Sequence, residues 1–330
     1  MFMEKMKSKK INIENEAQDS NRDKITEIVQ EKLGDILNES GISPGKNIGI
    51  EAVSGEDADP VFHIQSQNSA YALKIFSAAT SQDHFRANLK FSQITNENNI
   101  PTPKLIHSDA DSKTLPAPWI IWEWAPGQLL SQMESNAGKM EAAEKTGKLL
   151  RKIHEIEVSG FGWPTADNGW EFTNAKGACD FFVKRIHNLT EKGGRAFSDE
   201  ELQEIISLTA ESEDLLQFDK PKLLHGDVTG GNIIVSDEKS VTFIDPGEII
   251  AGDPMADLGY SQTTWLSPEF RKGVWEGYTG EKPLSPEENV RLKKWRLLRQ
   301  CVIACNAVLA KNKNAQRYIE DTFSFLEEVR

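Results

Sequence analysis

The sequence predicts an α+β protein in two parts, and three observations carry that reading. Residues 47–76 and 104–124 hold short β-prone runs separated by turn residues. From 137 on, apolar residues recur mostly at helical spacing. The length, 330 residues, suits about two domains or lobes. A β-rich first part and a helical second part point to a bilobal arrangement.

The elements follow in order. Residues 1–22 are polar and charged and read as a flexible tail. Ile25, Ile28, Val29, Leu33, Ile36 and Leu37 keep helical spacing, which predicts an amphipathic helix over 23–39. Three strands are expected at 47–54, 61–65 and 70–76, with a turn over 55–60. A helix over 81–98 stops before Pro101 and Pro103. Two more strands, 104–107 and 119–124, complete a five-stranded small lobe that ends at Pro126-Gly127. The larger part begins with a helix over 137–156, followed by a loop over 160–169 and helices over 175–192 and 198–216. A compact β segment then interrupts, at 223–224, 232–235 and 241–244. Helices return over 255–265, 268–277, 286–312 and 314–329, and no internal repeat is visible.

Composition removes several function classes. With 38 basic and 51 acidic side chains the net charge is −13, which argues against a nucleic-acid partner. It is compatible with a cationic small substrate. The longest apolar run, Cys301–Ala310, contains Asn306 and is about half of what a bilayer span needs, so no membrane partner is expected. The N-terminus has no apolar core of a secretory signal. Cys179, Cys301 and Cys305 give no disulfide framework, fit a reducing cytoplasm and read as core thiols.

The informative stretch is 223–247, LLHGDVTGGNIIVSDEKSVTFIDPG. Asp227 stands five residues before Asn232, and Asp245 ends the next strand across a hairpin. This brings two carboxylates and an amide to one rim. An oxygen-only set suits a hard cation such as Mg²⁺, which is commonly held by one or two protein ligands plus substrate phosphates. A carboxylate left off the metal can accept a hydroxyl proton.

These residues resemble the motif of the aminoglycoside phosphotransferase and choline kinase family, H-G-D-x-x-x-x-N followed by I-D at the end of the next strand. Here it reads His225-Gly226-Asp227 through Asn232, then Ile244-Asp245, with Gly252-Asp253-Pro254 and Asp257-Leu258 downstream. The resemblance covers roughly 40–310. It implies a protein-kinase-like fold, with a small five-stranded antiparallel N-lobe over 23–125 that binds nucleotide and a mainly helical C-lobe over 126–330 that carries the catalytic loop. It implies Asp227 as the catalytic aspartate, Asn232 and Asp245 as metal ligands, and His225, Asp257 and His154 as structural. Tyr71-Ala72-Leu73-Lys74 resembles the strand whose lysine meets the α/β-phosphates, with Lys74 opposite Leu73 by alternation. The segment Ile120–Gly127 resembles the hinge, where backbone groups near Glu123 and Ala125 bond adenine, and Ser54 and Gly55 fall in the phosphate loop.

The implied activity is transfer of the γ-phosphate of ATP or GTP, with Mg²⁺, to a hydroxyl of an amino sugar or amino alcohol. Two departures motivate an alternative, a weakened pseudokinase-like binding or regulatory protein. Asn88 stands where the helix Glu partner of Lys74 is expected, and the phosphate loop carries Glu56, Asp57 and Asp59 beside a single glycine. A protein kinase is disfavoured because Gly252-Asp253-Pro254 follows Asp245 too closely for a peptide platform.

Overall fold

The computed structural model describes residues 24–43, 48–53, 59–66, 69–76, 82–247, 249–280 and 282–330. The chain divides into two compact units. One runs up to Phe85 and includes Lys104–Trp124; the other holds Arg86–Pro103 and Ala125–Arg330.

In the first unit a helix over 24–39, α1, buries Val29 and, two helical turns on, Ile36 and Leu37. They join one cluster with Phe62, Ile64, Leu73, Ile75, Trp119 and Ile121. Those residues alternate along β2 (Val61–Ser66), β3 (Ser69–Ile75) and β5 (Trp119–Glu123), so one face of the sheet is core. With β1 (Ile48–Ala52) and β4 (Leu105–Asp109) the sheet has five strands, ordered β1-β2-β3-β5-β4, and every pairing is antiparallel. Lys74 lies opposite Val61 and Ile120, one position off the core face, and is 8% exposed.

Asp109 organises the turn after β4. Its carboxylate accepts the backbone N–H of Asp111 at 2.9 Å and of Lys113 at 2.8 Å, and the Trp119 indole N–H at 3.2 Å. Burial pushes this carboxyl up, but the backbone donors outweigh burial and hold it below its ordinary value. Its contribution to stability is therefore present above the ordinary carboxylate range and is lost as pH falls through the depressed folded value. Asp109→Asn should cost about 1–3 kcal/mol at neutral pH. Urea unfolding of the variant should show that loss, and the gap to wild type should narrow in acid.

The second unit contains the helices α2 (Gln82–Glu97, from Arg86 on), α3 (Asn136–Ile153), α4 (Ala175–Glu191), α5 (Asp199–Leu208), α6 (Glu213–Leu216), α7 (Pro254–Ser261), α8 (Pro268–Thr279), α9 (Pro286–Leu309) and α10 (Ala315–Glu327). Their starts follow local chemistry. Ser198 and Ser285 form capping boxes with Glu201 and Glu288, and prolines open α7, α8 and α9. Helices α3 and α8 approach closely because Gly147, Gly273 and Gly277 leave no room for side chains: a Cβ on any of them would strike the facing helix. Two small sheets complete the unit. One orders β11 (Val241–Phe243), β10 (Ile233–Val235) and β6 (Gln128–Leu129); the other orders β8 (Trp170–Phe172), β7 (Phe161–Pro164), β12 (Ala251–Gly252) and β9 (Lys222–Leu223).

Three readings of the sequence change here. The expected loop over 160–169 contains β7 and leads into β8. All four residues of β7 are buried, so no polar/apolar alternation marked it. The helix expected over 198–216 breaks after Leu208, where Thr209 leaves helical geometry and its hydroxyl turns back to the Ile205 carbonyl at 2.6 Å. Strands β6 and β12, two residues each, are too short to show a period. The three thiols are buried and free, as core thiols would be.

Candidate active site

Asp227 sits in the loop between β9 and β10. Asn232 directly precedes β10, and Asp245 lies two residues beyond β11. Strands β10 and β11 pair with Ile233 opposite Phe243, and the Ile244 N–H donates to the Asn232 carbonyl at 3.0 Å. The register therefore puts Asn232 across from the residue before Asp245. The Asn232 amide N–H donates to the Asp227 carboxylate at 2.7 Å and to its backbone carbonyl at 3.1 Å. Using the nitrogen in this way leaves the amide oxygen of Asn232 for another partner.

His225 ties the two halves of the rim together. It is fully buried; its Nδ1 accepts the Asp227 N–H at 3.3 Å and its Nε2 lies 3.0 Å from the Ile244 carbonyl. An accepting Nδ1 requires the proton on Nε2, so the ring is neutral. Burial lowers its pKa in agreement, although Asp257 and Asp227 pull the other way. The His225 carbonyl accepts the Gly247 N–H at 2.8 Å. Its own N–H and that of Gly226 go to Asp257, at 2.6 and 2.9 Å. Gly226 has φ +82°, a conformation that a side chain would strain. Asp257 also meets His154 Nε2 at 3.2 Å, and His154 Nδ1 lies 2.9 Å from the Tyr278 hydroxyl. Burial raises the Asp257 carboxyl, but the His154 and His225 contacts prevail and hold it below its ordinary value.

Asp245 has φ +51°, left-handed backbone in a residue other than glycine. Such strain persists where surrounding bonds fix it, and it concentrates at functional sites.

Two residues of this site lay outside the sequence reading. Gly247 is one: a Cβ there would stand 2.5 Å from the Asp227 Cβ and 2.9 Å from its nitrogen. Only the turn signature Asp245-Pro246-Gly247 could have flagged it. Gly247→Ala must displace the Asp227 loop. Turnover should fall at least about tenfold while stability drops by about 1–3 kcal/mol, as overpacking does. Steady-state kinetics beside a thermal melt separates the two effects. Tyr260 is the other. It lies on α7 one turn after Asp257, its hydroxyl faces Asp227 within interaction range, and Arg299 stacks on its ring 3.9 Å from the centroid. Burial first, then the Asp227 charge, raise its pKa. Arg185 on α4 also acts on Asp227 and Tyr260.

The remaining expected residues are placed as follows. Lys74 is in the first unit, its Nζ 5.4 Å from the Phe76 ring centroid. Glu123 ends β5; its N–H is taken by the Lys104 carbonyl at 2.9 Å, and its side chain is exposed. Ala125 opens the second stretch of the second unit. Asn88 is buried on α2. Ser54 and Gly55 lie outside the described residues.

An amide oxygen and a carboxylate at one rim suit Mg²⁺, which prefers oxygen ligands and takes few from protein. Among the described residues no group of three His, Cys, Asp or Glu side chains is placed to hold a metal. No helix among the described residues is long and apolar enough to cross a membrane.

Comparison with known proteins agrees with this architecture. Residues 49–288 match the family model described as the phosphotransferase enzyme family. A protein of Lactiplantibacillus plantarum named a probable ketoamine kinase is 23% identical over 270 residues, covering 75% of this chain and 85% of that protein. A provisionally named fructosamine-3-kinase from Thermobifida fusca shares the fold with a TM-score of 0.64 at 16% identity, over 89% of this chain and 98% of its own. An aminoglycoside phosphotransferase crystallised with AMP-PNP and hygromycin B gives a TM-score of 0.62 at 17% identity, over 85% of this chain and 94% of its own. The fold is thus the protein-kinase-like one. Since the family match spans well over half of the residues, the chain belongs to the phosphotransferase enzyme family and is a phosphotransferase.

Proposed function

We propose that the protein transfers the γ-phosphate of ATP to a hydroxyl of an amino sugar, with a ketoamine as the favoured acceptor. The observation that carries the reaction is the Asp227 carboxylate, oriented by the Asn232 amide at 2.7 Å and backed by a neutral, buried His225. A carboxylate so held accepts the proton of an acceptor hydroxyl as its oxygen attacks the γ-phosphorus. The acceptor class draws support from the relative named a ketoamine kinase and from the neighbours named fructosamine-3-kinases. Nucleotide as donor draws support from the neighbour crystallised with AMP-PNP.

Asn232 and Asp245 would hold Mg²⁺, which when bound neutralises phosphate charge. Lys74, on the sheet face away from the core, would contact phosphate. The carbonyl of Glu123 and the N–H of Ala125 would bond the base, since the Glu123 N–H is already used by the sheet.

The test is ADP release with ATP and Mg²⁺ across ketoamines, aminoglycosides, amino alcohols, sugars and nucleosides, with Asp227→Asn as control. Turnover that requires a ketoamine or another amino sugar and vanishes in the control is expected. Turnover confined to compounds without an amine would overturn the acceptor class. In the same assay Asp245→Ala should lose Mg²⁺-dependent nucleotide affinity.

A further inference from the structure

Acidic side chains outnumber basic ones 51 to 38 in this chain, so a place where guanidinium groups outnumber carboxylates stands out. Arg271 on α8, Arg296 on α9 and Arg317 on α10 make such a place, all within the second unit. The charge of Arg271 is disfavoured by burial first, then by Arg317 and Arg296, with Asp321 alone in opposition.

Asp321 is already engaged. Its Oδ2 accepts the Thr264 hydroxyl at 2.6 Å and lies 3.5 Å from Arg317 Nε. Thr264 is itself fixed: its N–H donates to Gln300 Oε1 at 3.1 Å, and its carbonyl accepts Arg317 Nη2 at 2.7 Å. Arg296 gives one Nη2 to Glu328 at 2.5 Å and lies over the Phe325 ring, 3.9 Å from the centroid. After these contacts two buried donors remain without an acceptor, Nε of Arg271 and Nε of Arg296. A buried guanidinium N–H left unmatched is costly, and the group that matches it is one with several acceptor oxygens and a negative charge.

We propose that Arg271, Arg296 and Arg317 form an oxyanion-binding site that takes a phosphate or carboxylate group. Three guanidinium groups converge from three helices and outnumber the two acids in reach: Asp321 pairs with Arg317 and Glu328 with Nη2 of Arg296, which leaves Nε of Arg271 and of Arg296 unmatched. The assignment is independent of the role given to Asp227. The anion has two conceivable sources of the same chemistry. Trp265, 40% exposed, follows Thr264; its ring centroid is 6.0 Å from that of Tyr260, whose hydroxyl faces Asp227. One source is an anionic group of the acceptor whose hydroxyl reacts beside Asp227. A free anion could equally bind there.

Titration of the full chain with inorganic phosphate at fixed ionic strength, followed by calorimetry, tests the site. The wild type should bind saturably. Arg271→Gln and Arg317→Gln should each bind at least about tenfold more weakly, because a hydrogen bond to a charged group is worth roughly a factor of ten or more. Arg271→Lys should keep part of the affinity, with thermal melts showing all variants folded. Equal binding by Arg271→Gln and wild type overturns the proposal, as does a wild type that shows no saturable binding. Acceptor kinetics of Arg271→Gln then identify the source. A raised KM at unchanged kcat assigns the anion to the acceptor; an unchanged KM beside lost phosphate binding assigns it to a free anion.

Discussion

Asp227→Asn should lower turnover by about 10²- to 10⁴-fold, the range in which a positioned general base contributes, while leaving the fold and nucleotide affinity close to wild type. Asparagine keeps the size of the side chain and one carbonyl oxygen, so the Asn232 amide still finds an acceptor where it now finds the carboxylate at 2.7 Å. It cannot take a proton. The loop around it is held by bonds that do not involve the carboxylate. The His225 and Gly226 N–H groups go to Asp257, and the Gly247 N–H goes to the His225 carbonyl. The loss should therefore appear in kcat, with nucleotide affinity and the thermal midpoint little changed. Equal turnover in wild type and variant would remove Asp227 from the reaction.

The parts of the site legible in the sequence are those whose partners are close along the chain. Asp227 and Asn232 are five residues apart within one loop, and Asp245 follows across a short hairpin, so spacing alone aligned them. The alternation of Leu73 and Ile75 with Lys74 was legible for the same reason, and the register confirms which side of β3 faces the core. The contacts that spacing could not show join distant elements. Tyr260 reaches Asp227 from α7, and Gly247 abuts it after a change of chain direction that only the turn residues hinted at. The close crossing of α3 and α8 depends on Gly147 meeting Val274 and Tyr278, more than a hundred residues away in sequence. Periodicity also failed where both faces of an element are buried, as in β7, and where a polar side chain competes with the helix, as at Thr209. A pattern read from sequence reports which face meets water. It is silent on which buried surfaces meet each other.

Asp257→Ala should be the most destabilising single change in the second unit, by about 3–5 kcal/mol, because it strips one partner from a buried, charge-bearing network. Asp257 is 2% exposed and is the acceptor for two backbone N–H groups and for His154. Its removal would leave all three donors buried with nothing to replace it. One of those N–H groups belongs to His225, so the ring that meets the Asp227 N–H would lose its anchor and turnover should fall together with stability. The acid behaviour of the wild type follows with a definite sign. His225 is held below its ordinary 6.5, so as pH falls through that value the unfolded chain takes up a proton that the native ring resists, and stability declines. Asp257 is held below its ordinary 3.8; its contribution persists above that value and is lost as pH falls through the lower folded one. Unfolding free energy measured from pH 8 to pH 4 should therefore decline from about pH 6.5 downward in wild type. In Asp257→Ala the starting stability should be lower and the His225 part of the slope steeper, since the carboxylate charge that pulls the ring's pKa up against burial is gone. A variant as stable as wild type at pH 7 would mean that solvent replaces the carboxylate at no cost, and that the catalytic loop does not depend on this anchor.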